Sequence, residues 1–273
     1  MPSESKKLTL ILDLDETLVN STEDSKHKKI TVSVRPYCFK FLERMSKLYE
    51  LHVVTLSKSY YAHKVVKHLD PERRLIDRVL TRSELEVFSK TENIHKLYPE
   101  GLDQTVILDD RLDVWDYKEN VIQVKKYQFF KKGRKHEEDD VLKHMERVLT
   151  DVHRIFHDYL DENGYRLDMW NVMVDYRMNI LSGVYVIVLG DASEKREIAQ
   201  RVTYFGAEVR RNEDYEVAGM PMVSVKWVEA VEARWKMPDF EEFRVEKPVK
   251  GETEKCGPRV KLEMPWGNFP LLK

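Results

Sequence analysis

"ILDLDETLVN", Ile11 to Asn20, sets Asp13 and Asp15 directly beyond an apolar run and closes with a threonine and a second apolar pair. Read with the residues before it, "KLTLILDLD" is a buried strand with two carboxylates at its mouth. Such carboxylates repel each other and lose hydration where water is scarce, so they need a cation or a positive side chain between them. The local alternative is that the aspartates cap a turn or the following helix. The rest of the chain bears on that choice.

Further strand-like runs follow: "ITVSVRP", "LHVVTLS", "QTVILDD" and "NVIQVKK". Between them Cys38, Phe41, Leu42, Met45, Leu48 and Tyr49 recur at helical spacing, and Ala62, Val65, Val66 and Leu69 do so again. This βαβ alternation predicts an α/β fold with a mostly parallel sheet and flanking helices. Ligands of such sheets bind beyond the carboxyl ends of the strands, where Asp13, Asp15, Thr55, Ser57, Asp109 and Asp110 all fall.

A charge-dense break, "KKGRKHEEDD", ends this region at Lys131 to Asp140. An apolar stripe from Val141 to Leu160 predicts one long connecting helix. A second α/β unit begins with the strand "GVYVIVLG", continues with a helix ending at Gly206, and includes "VSVKWVEAVEARW" as a strand end leading into a helix. From Pro238 the chain turns rich in Pro, Glu and Lys and is expected to form a tail. The expected boundaries are 1–135 for the first domain, 136–177 for a helical connector, 178–240 for the second domain and 241–273 for the tail.

Composition excludes several classes. The 273 residues carry 46 basic and 48 acidic side chains, so no global charge draws the chain to nucleic acid or to an anionic membrane. Any anion site must be local. Cys38 and Cys256 are the two cysteines, too few for a disulfide framework and in keeping with a reducing compartment. No run approaches the roughly 20 apolar residues of a membrane span, and the N-terminal apolar run is too short for a signal peptide. A soluble intracellular protein is expected, with neither membrane nor nucleic acid as a direct partner.

The second pair, Asp109 and Asp110, weakens the capping alternative, because sheet topology can bring its strand end beside that of Asp13 and Asp15. Converging carboxylates without a cation would be strongly destabilising. Hard oxygen ligands of this kind suit Mg²⁺, which favours one or two carboxylates plus waters and phosphate oxygens.

At this point the chain resembles a family. "LDLDETLV" has the DxDxT form of haloacid-dehalogenase-type phosphatases, and "VILDDRLDVW" looks like their acidic fourth motif. "VRPYCFKFLERMSKLYELHVVTLSKSYYAHKVVKHLDP", "DRVLTRSE", "FSKTENIHKLYP" and "ILDDRLDVWDYKENVIQVKKYQFF" resemble phosphatases of the carboxy-terminal domain of RNA polymerase II, in the branch that binds transcription factor IIF. That branch carries a BRCT domain, and "YVIVLGDASEKREIAQRVTYFGAEV" with Trp227 in "SVKWVEAVEARWK" looks like one.

The resemblance implies a haloacid-dehalogenase-like fold plus a small α/β BRCT-like domain, a nuclear location, and the phosphorylated polymerase tail as substrate. General transcription factors are implied as further partners. Asp13 would be the nucleophile and Asp15 the general acid and base. Mg²⁺ would be held by Asp13, the Asp15 carbonyl and Asp110, with Asp109 acting through water. Thr55 and Lys90 match the second and third motifs, although a buried strand threonine and a solvated lysine are ordinary things to find. Arg35, Asp70, Arg82 and Arg111 match positions that support the site or meet the phosphopeptide, with surface ion pairs as the plain alternative. Three departures stand out: Tyr37 and Ser57 replace usual glycines, and Ser59 replaces a frequent arginine. The second domain has Leu189 and Gly190 where phosphate-reading relatives carry Ser or Thr with Gly, so docking is expected of it. A small-ester phosphatase and a BRCT-based scaffold are the competing functions.

Overall fold

In the computed structural model, β1 (Leu8–Leu12) and β6 (Thr105–Asp109) are almost wholly buried, the pattern of strands covered on both faces. The structure describes residues 7–24, 29–85, 90, 98, 101–116, 118–131, 139–163, 168–210, 221–245 and 258–263. Most of "FSKTENIHKLYP" and of the charge-dense break lie outside them. The chain divides into two units, Met1–Met173 and Val174–Lys273.

In the first unit β4 (Tyr49–Val54), β5 (Ile76–Leu80) and β7 (Val121–Gln123) complete a parallel five-stranded sheet of order β5-β4-β1-β6-β7. The chain leaves β1 toward β4 and β5, then returns to its other side for β6 and β7. The order therefore reverses between β1 and β6, where a crevice opens in such sheets. The run "ITVSVRP" does not join this sheet. It forms β3 (Lys29–Val34), paired antiparallel with β2 (Val19–Asp24), a polar ribbon the sequence reading did not separate.

Helix α1 (Cys38–Met45) buries Cys38, Phe41, Leu42 and Met45, and α2 (Ser59–Leu69) buries Ala62, Val65 and Leu69, each at helical spacing. A single turn, α3 (Arg82–Leu85), follows β5. The long α4 (Val141–Asn163) buries Val141, Leu142, Met145, Val148, Leu149, Val152 and Phe156. It packs on α1, and Tyr49 donates its hydroxyl to the Leu149 carbonyl at 2.7 Å. The stripe read as a connector thus serves the core of the first unit.

Tyr37, at the start of α1, has φ of 70°, a left-handed conformation that costs about 1 kcal/mol for a non-glycine residue. This is the position where the resembled family has glycine. Its hydroxyl donates to Glu146 of α4 at 2.7 Å, which holds the turn despite the side chain.

Helix α5 (Met169–Asn179) runs across the boundary into the second unit. There β8 (Tyr185–Leu189), α6 (Ala192–Tyr204), β9 (Glu208–Val209), β10 (Met222–Ser224), α7 (Lys226–Arg234) and β11 (Arg259–Glu263) build a sheet of order β10-β11-β8-β9. Strand β11 corrects the expected tail. Arg259–Glu263 lies between β8 and β10, antiparallel to both, with Val260 and Leu262 fully buried. Trp227 is buried and donates to the Pro238 carbonyl at 3.3 Å. Gly206 closes α6 with φ of 93°, where a Cβ would sit 1.8 Å from the Met178 carbonyl oxygen. Among the described residues no helix is long and apolar enough to cross a membrane.

Candidate active site

Register puts the carboxylates together. Leu12 of β1 pairs with Leu108 of β6 and with Val53 of β4, so the next residues, Asp13 and Asp109, lie side by side at the crevice with Thr55 just beyond. The Asp13 amide continues the ladder by donating to the Leu108 carbonyl at 3.0 Å. A cleft of about 290 Å³ opens there, lined by Asp13, Asp15, Thr55, Lys90, Asp109 and Asp110 among others.

Lys90, 2% exposed, sits among the acids. Its ammonium donates to Asp13 Oδ1 at 2.6 Å and to Asp109 Oδ2 at 2.5 Å. Burial alone would push this ammonium down, but Asp13 and Asp109 outweigh it and hold the lysine protonated, above its ordinary value. Burial also pushes the Asp13 carboxyl up to about 7, against Lys90, with Asp109 and Asp110 adding to the rise. The site is short of positive charge. Asp13 Oδ2 accepts no hydrogen bond among the described residues.

The fourth-motif acids differ. Asp109 accepts from the Arg111 amide at 2.9 Å on Oδ1, and from Lys90 and Trp115 Nε1, the latter at 2.8 Å, on Oδ2. Both of its oxygens are engaged, which suits an anchor for Lys90. Asp110 Oδ1 accepts from Thr17 Oγ1 at 3.3 Å, and that oxygen in turn accepts from the Asp110 amide at 3.1 Å. Asp110 Oδ2 is fully buried and makes no well-aligned hydrogen bond, with the Lys126 ammonium 3.1 Å away. Burial pushes the Asp110 carboxyl up in spite of Lys126. Oxygens of Asp13, Asp109 and Asp110 lie within 4.8 Å of one another. A buried oxygen on Asp110 without a well-aligned hydrogen bond and an open one on Asp13 fit a hard divalent cation.

Asp15 is held on both oxygens by hydroxyls, Tyr61 at 2.6 Å on Oδ1 and Ser57 at 2.5 Å on Oδ2. Burial first, and then the bond to Asp15, hold the Tyr61 phenol well above its usual value. Neither Asp13 nor Asp15 caps a helix: α1 and α2 begin at Tyr37 and Lys58, without side-chain caps. Thr55 is buried, and its Oγ1 accepts from the Ser57 amide at 3.2 Å, leaving its proton to donate.

The expected arginines divide. Arg82 and Arg111 line the cleft, Arg82 donating to the Leu56 carbonyl at 2.7 Å and Arg111 paired with Asp113. Arg35 does not reach it. It is buried and bonds Asp139 at 2.9 Å, the Thr17 carbonyl at 3.0 Å and the Lys125 carbonyl at 2.7 Å, so its substrate-contact expectation gives way to a brace under the motif. Asp70 also lies elsewhere, accepting from the amides of Arg74, Leu75 and Ile76. Sequence reading missed Tyr61, Lys126 and a role for Thr17, of which the motif itself signalled only the last.

Residues 8–160 match the model of the family described as NLI interacting factor-like phosphatase. The chain is 32% identical to an RNA polymerase II C-terminal domain phosphatase of Caenorhabditis elegans, over 89% of this chain and 46% of that protein. It is 40% identical to the Homo sapiens protein of the same name, over 46% of this chain and 15% of that protein. It thus spans less than half the length of these relatives. Its fold is similar to the solved structure titled "The Structure of Fcp1, an essential RNA polymerase II CTD phosphatase", with a TM-score of 0.67 at 21% identity, over 87% of this chain and 95% of that one. A fission yeast Fcp1 variant solved with beryllium fluoride gives the same TM-score at 20% identity, over 88% of this chain and 96% of that one. With more than half its length matched and its acidic strand ends converging on one cleft, the chain belongs to the NLI interacting factor-like phosphatase family.

Proposed function

We propose that this chain is a Mg²⁺-dependent protein serine phosphatase that acts on the heptad-repeat C-terminal domain of RNA polymerase II through an aspartyl-phosphate intermediate. The observation that carries this reading is Asp13, a buried carboxylate with Oδ1 tied to Lys90 and Oδ2 open to the cleft. Asp13 Oδ2 attacks phosphorus while the P–O bond to the seryl oxygen breaks, and Asp15 gives that oxygen its proton. Asp15, now a carboxylate, takes a proton from the water that attacks the aspartyl phosphate, releasing phosphate and restoring both groups. Ser57 and Tyr61 fix the Asp15 rotamer through both half-reactions.

Lys90 balances charge on the phosphoryl oxygens, and Thr55 donates to one of them. Asp13, Asp110 and the Asp15 carbonyl are the groups that would hold Mg²⁺, whose charge would offset that of the carboxylates and the phosphoryl group. Arg82 and Arg111, at the rim, meet the substrate backbone or its phosphates. The names of the relatives support the polymerase tail as substrate, and with it a nuclear location. The second unit, where Asp191 beyond β8 accepts from the Ser193 and Glu194 amides and caps α6, docks a partner, with general transcription factors as the proposed class.

The test is hydrolysis of singly phosphorylated heptad peptides and small phosphate esters, with Mg²⁺ and with excess chelator. Chelator abolishes turnover, and Asp13→Asn lowers it by about 10⁴-fold or more with the fold intact. Full activity of Asp13→Asn would sink the mechanism.

A further inference from the structure

Beside the active cleft, α2 and β5 border a second groove of about 850 Å³. Tyr60, His63, Lys64 and Lys67 stand on it at i, i+3, i+4 and i+7, one face of α2. Arg73 adds a third strong cation, and Ile76 and Val79 of β5 supply an apolar wall. This is a local positive surface on a chain of net charge −2.

The cations of this face are unused. Lys64, Lys67 and Arg73 are exposed and have no side-chain ion pair among the described residues. The acid beside them, Asp70, is already saturated: burial would raise its carboxyl, but the amides of Ile76, Leu75 and Arg74 outweigh that and hold it below the usual range. His63 bonds the Ser59 carbonyl at 2.9 Å through Nδ1, and Lys64, Lys67 and Arg73 are the three strong cations on the groove. Tyr60 is 80% exposed at the head of the stripe. A solvated ring of that size above unpaired lysines offers a flat apolar support with cations behind it.

Position relates this groove to the chemistry. Helix α2 starts two residues after Ser57 and places Tyr61 on Asp15. At 1.5 Å per residue, Lys64 and Lys67 lie about 8 and 12 Å along the helix from Ser59. An extended peptide advances about 10 Å in three residues.

We infer that this groove binds a second phosphate of the same extended phosphopeptide, three or more residues from the phosphoserine at Asp13, so that multiply phosphorylated substrates are preferred. The inference rests on the phosphatase reading above. Lys64, Lys67 and Arg73 pair with the phosphate, and Tyr60 packs on the residues between the two. A free carboxylate on the peptide would bind there more weakly, because it offers fewer oxygens and less charge than a phosphate.

The test compares peptides bearing one phosphoserine with peptides bearing a second, three to seven residues to either side. It uses the full chain and its Lys64→Ala/Lys67→Ala variant. For the wild type, kcat/KM rises about tenfold with the second phosphate on one of the two sides, and the gain shrinks as salt rises from about 0.05 to 0.3 M. The variant loses the gain yet hydrolyses the singly phosphorylated peptide and p-nitrophenyl phosphate within about twofold of wild type. Fluorescence anisotropy with the Asp13→Asn background reads binding of the same peptides independently of turnover. Equal kcat/KM for the two peptide classes, or a gain that survives in the variant, would overturn the groove. Displacement of the doubly phosphorylated peptide by equimolar homopolymer RNA would overturn it in favour of a nucleic-acid surface. If the wild type hydrolysed no phosphopeptide, the phosphatase reading would fall, while the anisotropy comparison would still decide whether the groove binds the second phosphate.

Discussion

Asp13 follows β1 in the first unit, and Asp191 follows β8, by way of Gly190, in the second. Asp191 accepts from the amides of Ser193 and Glu194 at 2.8 and 2.9 Å, and Glu194 bonds back to the Asp191 amide, a complete capping box for α6. Asp13 caps nothing. Its charge is met by a buried lysine, and Asp109 and Asp110 crowd it. An aspartate beyond a strand is thus a local structural device when the next helix starts at once. It becomes a chemical one when a turn intervenes and a neighbouring strand delivers more acid to the same place. In the first unit Glu16, with φ of 61°, starts that intervening turn, and the β2–β3 ribbon follows before α1.

The strongest way to sharpen this contrast is at Asp15. As general acid it matters for a seryl leaving group and little for an activated aryl one, so Asp15→Asn lowers phosphoserine hydrolysis by about 10² to 10⁴-fold. Aryl phosphate hydrolysis falls far less. Steady-state kinetics on both substrates check this, and equal losses would remove the assignment.

Lys90→Ala probes the buried charge itself. It leaves Asp13 and Asp109 without their cation, which costs about 3 to 5 kcal/mol, and it slows both substrate classes alike. Adding Mg²⁺ restores part of the lost melting temperature, readable by calorimetry without any turnover. A variant as stable as wild type in chelator would break the electrostatic account.

Asp191→Ala should do the reverse. Losing the cap destabilises the second unit by about 1 kcal/mol, seen as a lower denaturation midpoint, while turnover of p-nitrophenyl phosphate stays unchanged. A fall in that activity would blur the distinction between the two aspartates.

The last effect, of similar size, is one of pH. All nine histidines lie in the first unit. Burial, and then His157, push His153 of α4 down from 6.5 to about 4. The unfolded chain therefore binds more protons between those values. Stability is full above about pH 6.5 and declines as pH falls toward 4. The ring is partly exposed, so the loss is about 1 to 2 kcal/mol after solvent screening. His153→Gln flattens the decline in melting temperature over that window, and an unchanged slope would remove His153 as its source.

Much of the first unit was legible. "KLTLILDLD", "LHVVTLS" and "QTVILDD" are near-continuous apolar runs ending in polar residues, which strands buried on both faces require. Strand β2, "VNSTED", and β5, "IDRVL", carry too much charge to show the pattern, and they become strands through their partners. Strand β11 was hidden for the same reason: "RVKLE" alternates over five residues within a Pro, Glu and Lys-rich segment. Lys90 entered through its resemblance alone, because no periodicity distinguishes one lysine from another. Tyr61 and Lys126 were missed because their contacts to Asp15 and Asp110 span 46 and 16 residues. Arg35 was misplaced because a motif gives a residue's address and not the direction of its side chain.

The sequence by itself determined that acidic groups stand at the ends of buried strands, since apolar runs and their terminating aspartates are local properties. It also determined the capping box at Asp191, which needs four consecutive residues. Tertiary structure decided which strand ends become neighbours, because the β1–β6 register brings Asp13 and Asp109 side by side across 96 residues of chain. It likewise decided that Lys90 neutralises them and that Arg35 turns away, since a buried charge takes its partner from whatever the fold packs against it.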